Sequence, residues 1–205
     1  MAIEVSDLKK VSKDPVAKLM SSAGIKLETE LELPPIAGVK DYLTALDDKS
    51  AKVDILKLLS VALPPREAVW WACLAAEDVI NASGKPETAA LSAAKAWVYK
   101  PDENSRAAVQ MAMQNTDHDD ETVYCALAAF YADGTAGEDD LKDQPAPPAA
   151  VPASVLGQNM VSLDALDVEG DVAFDLLIQR ALDIARGGNG KVEMPEPTLE
   201  EEDRE

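Results

Sequence analysis

Residues 63–81 read Leu63-Pro64-Pro65-Arg66-Glu67-Ala68-Val69-Trp70-Trp71-Ala72-Cys73-Leu74-Ala75-Ala76-Glu77-Asp78-Val79-Ile80-Asn81, and the reading of this stretch decides the fold. Pro65 suits the first helical position, where a missing N–H costs nothing, and Pro64 keeps the residue before it extended. The pattern predicts a helix that starts at Pro65. From Ala68 to Ala76 there is no charged residue, so the apolar surface wraps most of the way round, as in a helix with neighbours on several sides. It is read as the central helix of the protein.

Working outward, the segments on both sides carry helical spacing. Val39–Leu46 follows Gly38, and Val53, Leu56, Leu59 and Ala62 share one face of the next run. Beyond Gly84, Pro86 again suits an early helical position, and Leu91, Ala94, Trp97 and Val98 recur at helical intervals. Pro101 and Asp102 open a helix that stops near Asn115. The acids of Asp117–Glu121 favour the start of another, which Gly134 ends. Short loops make neighbouring helices antiparallel. Val155–Leu166 and Val172–Arg186 complete the set, with Gly187 and Gly188 as the final stop. The expected fold class is all-α, a compact multi-helix bundle or short helical-hairpin array of about seven or eight helices.

Composition agrees with that class. The 205 residues are 47% hydrophobic and only 4% aromatic, with alanine abundant between Ala72 and Ala96, which favours close-packed helices over a sheet of branched and aromatic residues. Ser6–Met20, interrupted by Pro15, allows only a short helix. Leu27, Leu31 and Leu33 alternate with polar residues up to Pro34 and Pro35, but no partner strand is in sight, so an extended arm packed on the helices is expected. The domain reading is an N-terminal helix and arm over 1–36, a helical domain over 37–188 and a tail over 189–205. Within the helical domain, 139–153 has the composition of a stiff proline-rich connector. Residues 193–205 hold seven acids and one base without apolar periodicity, the composition of a disordered acidic tail.

Charge excludes one class of partner. With 38 acids against 19 bases the formal net charge is −19, and binding a phosphate backbone needs the opposite, a basic face that displaces counterions. The N-terminal residues are polar and no apolar run reaches a membrane span, so neither a signal peptide nor a membrane segment is expected and the chain reads as cytoplasmic.

Few residues carry chemistry. His118 lies among Asp117, Asp119, Asp120 and Glu121, but an EF-hand loop started at Asn115 would place Asp120 where glycine belongs and Ala126 where glutamate belongs. A solvated helix start is the plainer reading. Cys73 and Cys125 sit in apolar helical patterns and read as small buried hydrophobes. With one histidine and no nucleophile elbow, a serine hydrolase has little to stand on. Gly187, Gly188 and Gly190 follow a helix instead of joining a strand to one, so they read as a C-terminal stop and not as a phosphate loop. No cofactor, metal or catalytic residue is expected. The surface features that stand out are Arg66, Trp70 and Trp71. Arg66 and Trp70 are one turn apart, at cation–π spacing, and the two indoles point about 100° apart, so one can face the core and the other a groove or partner. These three are the candidate partner-binding residues.

One resemblance rests on Leu63–Leu74, on Ala94, Trp97, Lys100 and Pro101 with Arg106-Ala107-Ala108, and on Ala126–Gly134 followed by a proline-rich segment and a helix from Val172. Over roughly Leu58–Gly188 the chain resembles an uncharacterised family of small, helical bacterial proteins often encoded near type VI secretion genes. The segment before Leu58 and the acidic tail have no counterpart in it. The resemblance transfers no catalytic residue and implies an accessory role in secretion, as an adaptor, chaperone or structural component. Two function classes follow: a non-enzymatic interaction protein that holds a basic or apolar protein partner, or an acidic inhibitor or immunity-type protein that covers a cationic site or imitates nucleic acid. An enzyme stands third.

Overall fold

The computed structural model describes residues 3–117, 119–137, 141–166 and 168–193. Among them nine helices follow one another: α1 (Val16–Ala23), α2 (Val39–Asp48), α3 (Lys52–Ala62), α4 (Pro65–Ser83), α5 (Ala89–Tyr99), α6 (Glu103–Gln114), α7 (Val123–Tyr131), α8 (Ala150–Ala165) and α9 (Gly170–Arg186). The only β pairing among the described residues is an isolated bridge between Thr135 and Pro145. The protein is all-α, with one or two helices more than expected. No described helix is long and apolar enough to cross a membrane. His118 and the tail residues 194–205 lie outside the described residues.

α4 starts where its prolines require, with Pro64 as N-cap and Pro65 at the first helical position. It ends at Gly84, whose φ of 63° is a left-handed conformation that a side chain disfavours. α5, α7, α8 and α9 pack around it, so it is central as expected. It is not the most deeply buried by share: nine of its 19 residues are buried, against seven of 11 in α3, which lies among α1, α2, α8 and α9.

Three helix starts differ from the expectation. Pro86 stays in the loop, because the Thr88 hydroxyl accepts the Leu91 N–H at 3.2 Å and so sets the start of α5 three residues after the proline. The acids before α7 form a turn instead of its first residues. There Asp120 Oδ1 accepts from both the N–H and the hydroxyl of Thr122, and the helix begins at Val123. α8 begins at Ala150, inside the stretch expected to be a stiff connector. Pro152 occupies its first turn, where the absent N–H removes no intrahelical bond. The residues before it double back: Ala136 donates to Gln144 O and Ala146 to Gly134 O, both at 2.9 Å.

α8 has few large apolar residues, yet it packs against α3, α4, α7 and α9. Its buried positions include Ser154, Val155, Gln158, Asn159 and Ser162. Small residues allow close approach, and the polar ones tie helices together. Gln158 accepts the Cys125 N–H at 3.2 Å, shared with Thr122 O at 3.3 Å, and donates to Glu121 O at 3.0 Å, so it ties α8 to the start of α7. Ser162 donates to Asp78 Oδ2 at 2.9 Å, and Asp78 forms a bidentate pair with Arg180 of α9.

The residues between α1 and α2 form neither helix nor strand, and Leu27 and Leu31 among them pack on the core. Asp54, in the first turn of α3, holds this segment. Its carboxylate accepts the Glu28 N–H at 2.9 Å and the Thr29 N–H at 2.7 Å and lies 3.2 Å from Lys57 Nζ. Burial opposes its ionisation, but the hydrogen bonds from Thr29, Glu28 and Lys57 outweigh that and hold the carboxyl below the ordinary carboxylate range. A depressed folded pKa stabilises above the unfolded pKa, near 3.9, and the stabilisation is lost as pH falls through the folded value. Asp54→Asn is therefore expected to be less stable than wild type at neutral pH by about 1.5–3 kcal/mol. Urea denaturation should show that gap closing below about pH 4. A gap independent of pH would mean that the charge contributes nothing.

Candidate functional site

The adjacent tryptophans of α4 divide as their angular separation requires. Trp71 is 0% exposed, and its Nε1 donates to Leu177 O of α9 at 3.1 Å. This corrects its reading as a partner-binding residue: the side chain belongs to the core, and its one polar atom is satisfied there. Trp70 is half-buried and reaches the surface. Its Nε1 donates at 2.7 Å to Asn189 O, in the turn after α9. That turn needs its glycines. Gly187 closes α9 at a φ of 106°, and a Cβ on Gly190, at a φ of 72°, would stand 2.6 Å from Leu74 Cδ1.

Arg66 is exposed, but its guanidinium turns away from Trp70. Nε donates to Val98 O at 2.7 Å and Nη2 to Tyr99 O at 3.3 Å, at the C-terminus of α5, where the helix leaves carbonyls unpaired and the dipole favours a cation. These bonds take the place of the Arg66–Trp70 cation–π contact that the spacing allows. The cation–π pair that does form among the described residues is Arg106 over Phe130, 4.6 Å from the ring centroid.

Between the start of α4 and the ends of α5, α6 and α7 lies a groove of about 510 Å³. Pro64, Pro65, Trp97 and Pro101 supply its apolar surface. Glu67, Asp102, Glu103 and Asp133 stand along it, with Arg66 and Arg106. Glu67 pairs with Lys10 at 3.0 Å. Asp102 caps α6, accepting the Ser105 N–H at 2.9 Å, and lies 2.8 Å from Lys100 Nζ. The Lys100 ammonium and the Ser105 N–H hold the Asp102 carboxyl down at about 2, so it is ionised at any physiological pH. Arg106 is only 7% exposed and spends its fork on main chain: Phe130 O at 2.9 Å and Gly137 O at 3.1 Å, with Asp133 Oδ2 3.1 Å from Nε. Beside the groove Tyr99 is 86% exposed, a large aromatic surface with no internal role to explain it.

Sequence reasoning missed Tyr99 and the architectural part of Arg106. Tyr99 was legible as the last residue of a helix whose apolar face is complete without it. Arg106 was not, because its partners lie 24 to 31 residues away and are backbone carbonyls.

Over residues 42–185 the chain matches the model of a family of unknown function (DUF6931). The chain belongs to this family. No curated protein and no solved structure matches it. The DUF6931 region begins within α2 and reaches almost to the end of α9, so it contains Arg66, both tryptophans and the groove, and it starts earlier than the resemblance by residues 42–57. The match itself extends to neither secretion nor a bacterial source.

The remaining candidates are placed elsewhere. Cys73 and Cys125 are buried free thiols, and the neighbouring Cys125 thiol together with burial pushes the Cys73 thiol up, which makes it a poor nucleophile. Among the described residues no three His, Cys, Asp or Glu side chains gather as metal ligands. A second groove of about 390 Å³ lies at the other end of α4, with Glu87, Asp117, Asp119 and Asp120 around it.

Proposed function

We propose that this DUF6931 protein is a non-enzymatic interaction module that docks a protein partner on the surface at the start of α4. Its role in that proposal is that of an accessory adaptor, chaperone or structural component of a bacterial, type VI-like secretion system, working in the cytoplasm. The observation that carries the docking reading is the groove itself, to which Pro64, Pro65, Trp97 and Pro101 give apolar surface and along which the exposed Arg66 stands. Tyrosine, tryptophan and arginine are the residue types over-represented where truncation costs most at interfaces. The secretion setting rests on the family resemblance alone, an association and not a mechanism.

The test is capture of the native partner by wild type, Arg66→Ala and Trp70→Ala, each first shown to be folded by circular dichroism. Loss of a hot-spot residue is expected to cost about 2 kcal/mol, roughly a thirtyfold drop in affinity. Undiminished capture by both variants would remove this surface from consideration. The net charge of −19 favours a second reading, an inhibitor or immunity-type protein that presents its acidic face to a cationic site or imitates nucleic acid. Salt separates the two. Capture by a distributed acidic face weakens steeply as salt screens it, whereas docking through an apolar groove persists.

A further inference from the structure

Beyond the docking reading, we infer that Asn189-Gly190, in the turn after α9, is a latent modification site: a succinimide-forming pair that the closed turn holds unreactive and that converts to aspartate and isoaspartate once the turn opens. Glycine after asparagine favours this reaction, because no side chain hinders attack of the glycine nitrogen on the asparagine Cγ. The fold cannot dispense with that glycine. Gly190 has a φ of 72°, and a Cβ on it would stand 2.6 Å from Leu74 Cδ1 and 2.8 Å from Ile184 Cδ1. Gly190 is buried, whereas Asn189 is exposed.

Each step of the reaction is opposed by a hydrogen bond of the closed turn. The Gly190 N–H must give up its proton to a base, but it donates to Asp183 Oδ2 at 2.8 Å, where the resulting amidate would face a carboxylate. The Asn189 carboxamide must bring Cγ onto that nitrogen, but its Oδ1 accepts the Lys191 N–H at 3.0 Å. The peptide plane between the two residues must rotate to present the nitrogen, but Asn189 O accepts from Trp70 Nε1 at 2.7 Å. Opening frees all three groups. The nitrogen then bonds to Cγ, Nδ2 takes up the proton and leaves as ammonia, and water opens the ring at either carbonyl. Attack of water at Cγ gives aspartate. Attack at the main-chain carbonyl gives isoaspartate, with the chain longer by a methylene and a free carboxylate in the turn that already holds Asp183. The change is one-way, so the pair records opening of the turn that joins α9 to Trp70 of α4.

The experiment incubates the full chain at mildly alkaline pH, folded and in guanidinium chloride, and follows conversion of Asn189 by peptide mapping with mass spectrometry. In folded wild type Asn189 should convert at least about tenfold more slowly than in the unfolded chain, because the reaction waits on local opening. Asp183→Ala, first shown to be folded by circular dichroism, should speed conversion by about tenfold, as expected for the loss of one charge-assisted hydrogen bond. Trp70→Phe, which removes only the indole donor, should speed it by about threefold. Hydrogen exchange of residues 72–76 in the middle of α4 separates local from global opening, and protection there should be unchanged in Asp183→Ala. Equal conversion in folded and unfolded wild type would overturn the inference, as would no conversion in the unfolded chain. So would an unchanged rate in Asp183→Ala, or a rate that rises only in step with lost protection in α4, which would assign the effect to global instability and not to the turn.

Discussion

Replacing Arg106 by methionine is expected to destabilise the protein by about 3–5 kcal/mol, as the removal of one member of a buried charged network does. The guanidinium binds Phe130 O at the end of α7 and Gly137 O in the turn beyond it, and faces Asp133 and the Phe130 ring. Two good charge-assisted bonds, each worth about 1.5–3 kcal/mol, already account for that range. A third, to Thr135 O at 3.5 Å, adds little. Methionine fills much of the same space, so the loss measured by urea denaturation reports the polar bonds and not a cavity. Arg106→Lys should recover only part of it, because an ammonium cannot span two carbonyls with a planar fork. A loss below about 1 kcal/mol for methionine would show that water replaces the guanidinium at little cost.

Trp71→Ala should cost a similar amount, about 3–5 kcal/mol, through the cavity left when a fully buried indole is removed from between α4 and α9. Trp71→Phe keeps most of the apolar volume and removes the bond to Leu177 O, so a smaller loss of about 1–2 kcal/mol is expected. The informative comparison is with Trp70→Ala. Its ring is half-buried with one hydrogen bond to Asn189 O, and its loss should stay below that of Trp71→Ala by at least about 1 kcal/mol. Equal losses would mean that the turn after α9 is as much a part of the core as α9 itself.

The surface proposed for docking was only partly readable in the sequence. Arg66 and Trp70 stood out by residue type, and the helix start that presents them was plain in Pro64-Pro65, whereas Trp71, which stood out equally, is core. The groove was invisible, because its walls come from Pro65, Pro101 and Asp133, which the chain brings together only through the packing of α4 with α5 and α7 and of α6 with both. The same limit explains Arg66. Spacing placed it over Trp70, but unpaired carbonyls at the end of α5 are stronger partners than an indole face at a solvated position.

α8 shows the boundary most clearly. Apolar periodicity finds helices that bury a stripe, and α4 and α9 were found that way. α8 buries serine, glutamine and asparagine, and Asn159 even leaves its Oδ1 without a hydrogen-bond partner among the described residues. By itself the sequence determined the all-α class, the central position of α4 and the stop after α9, because backbone sterics at proline and glycine and the 3.6-residue apolar period are local properties. The tertiary structure alone decided which tryptophan is core, where the two arginines spend their hydrogen bonds and why a polar helix lies inside. Each of those depends on which polar groups and apolar faces distant parts of the chain bring into contact, and no local pattern carries that information.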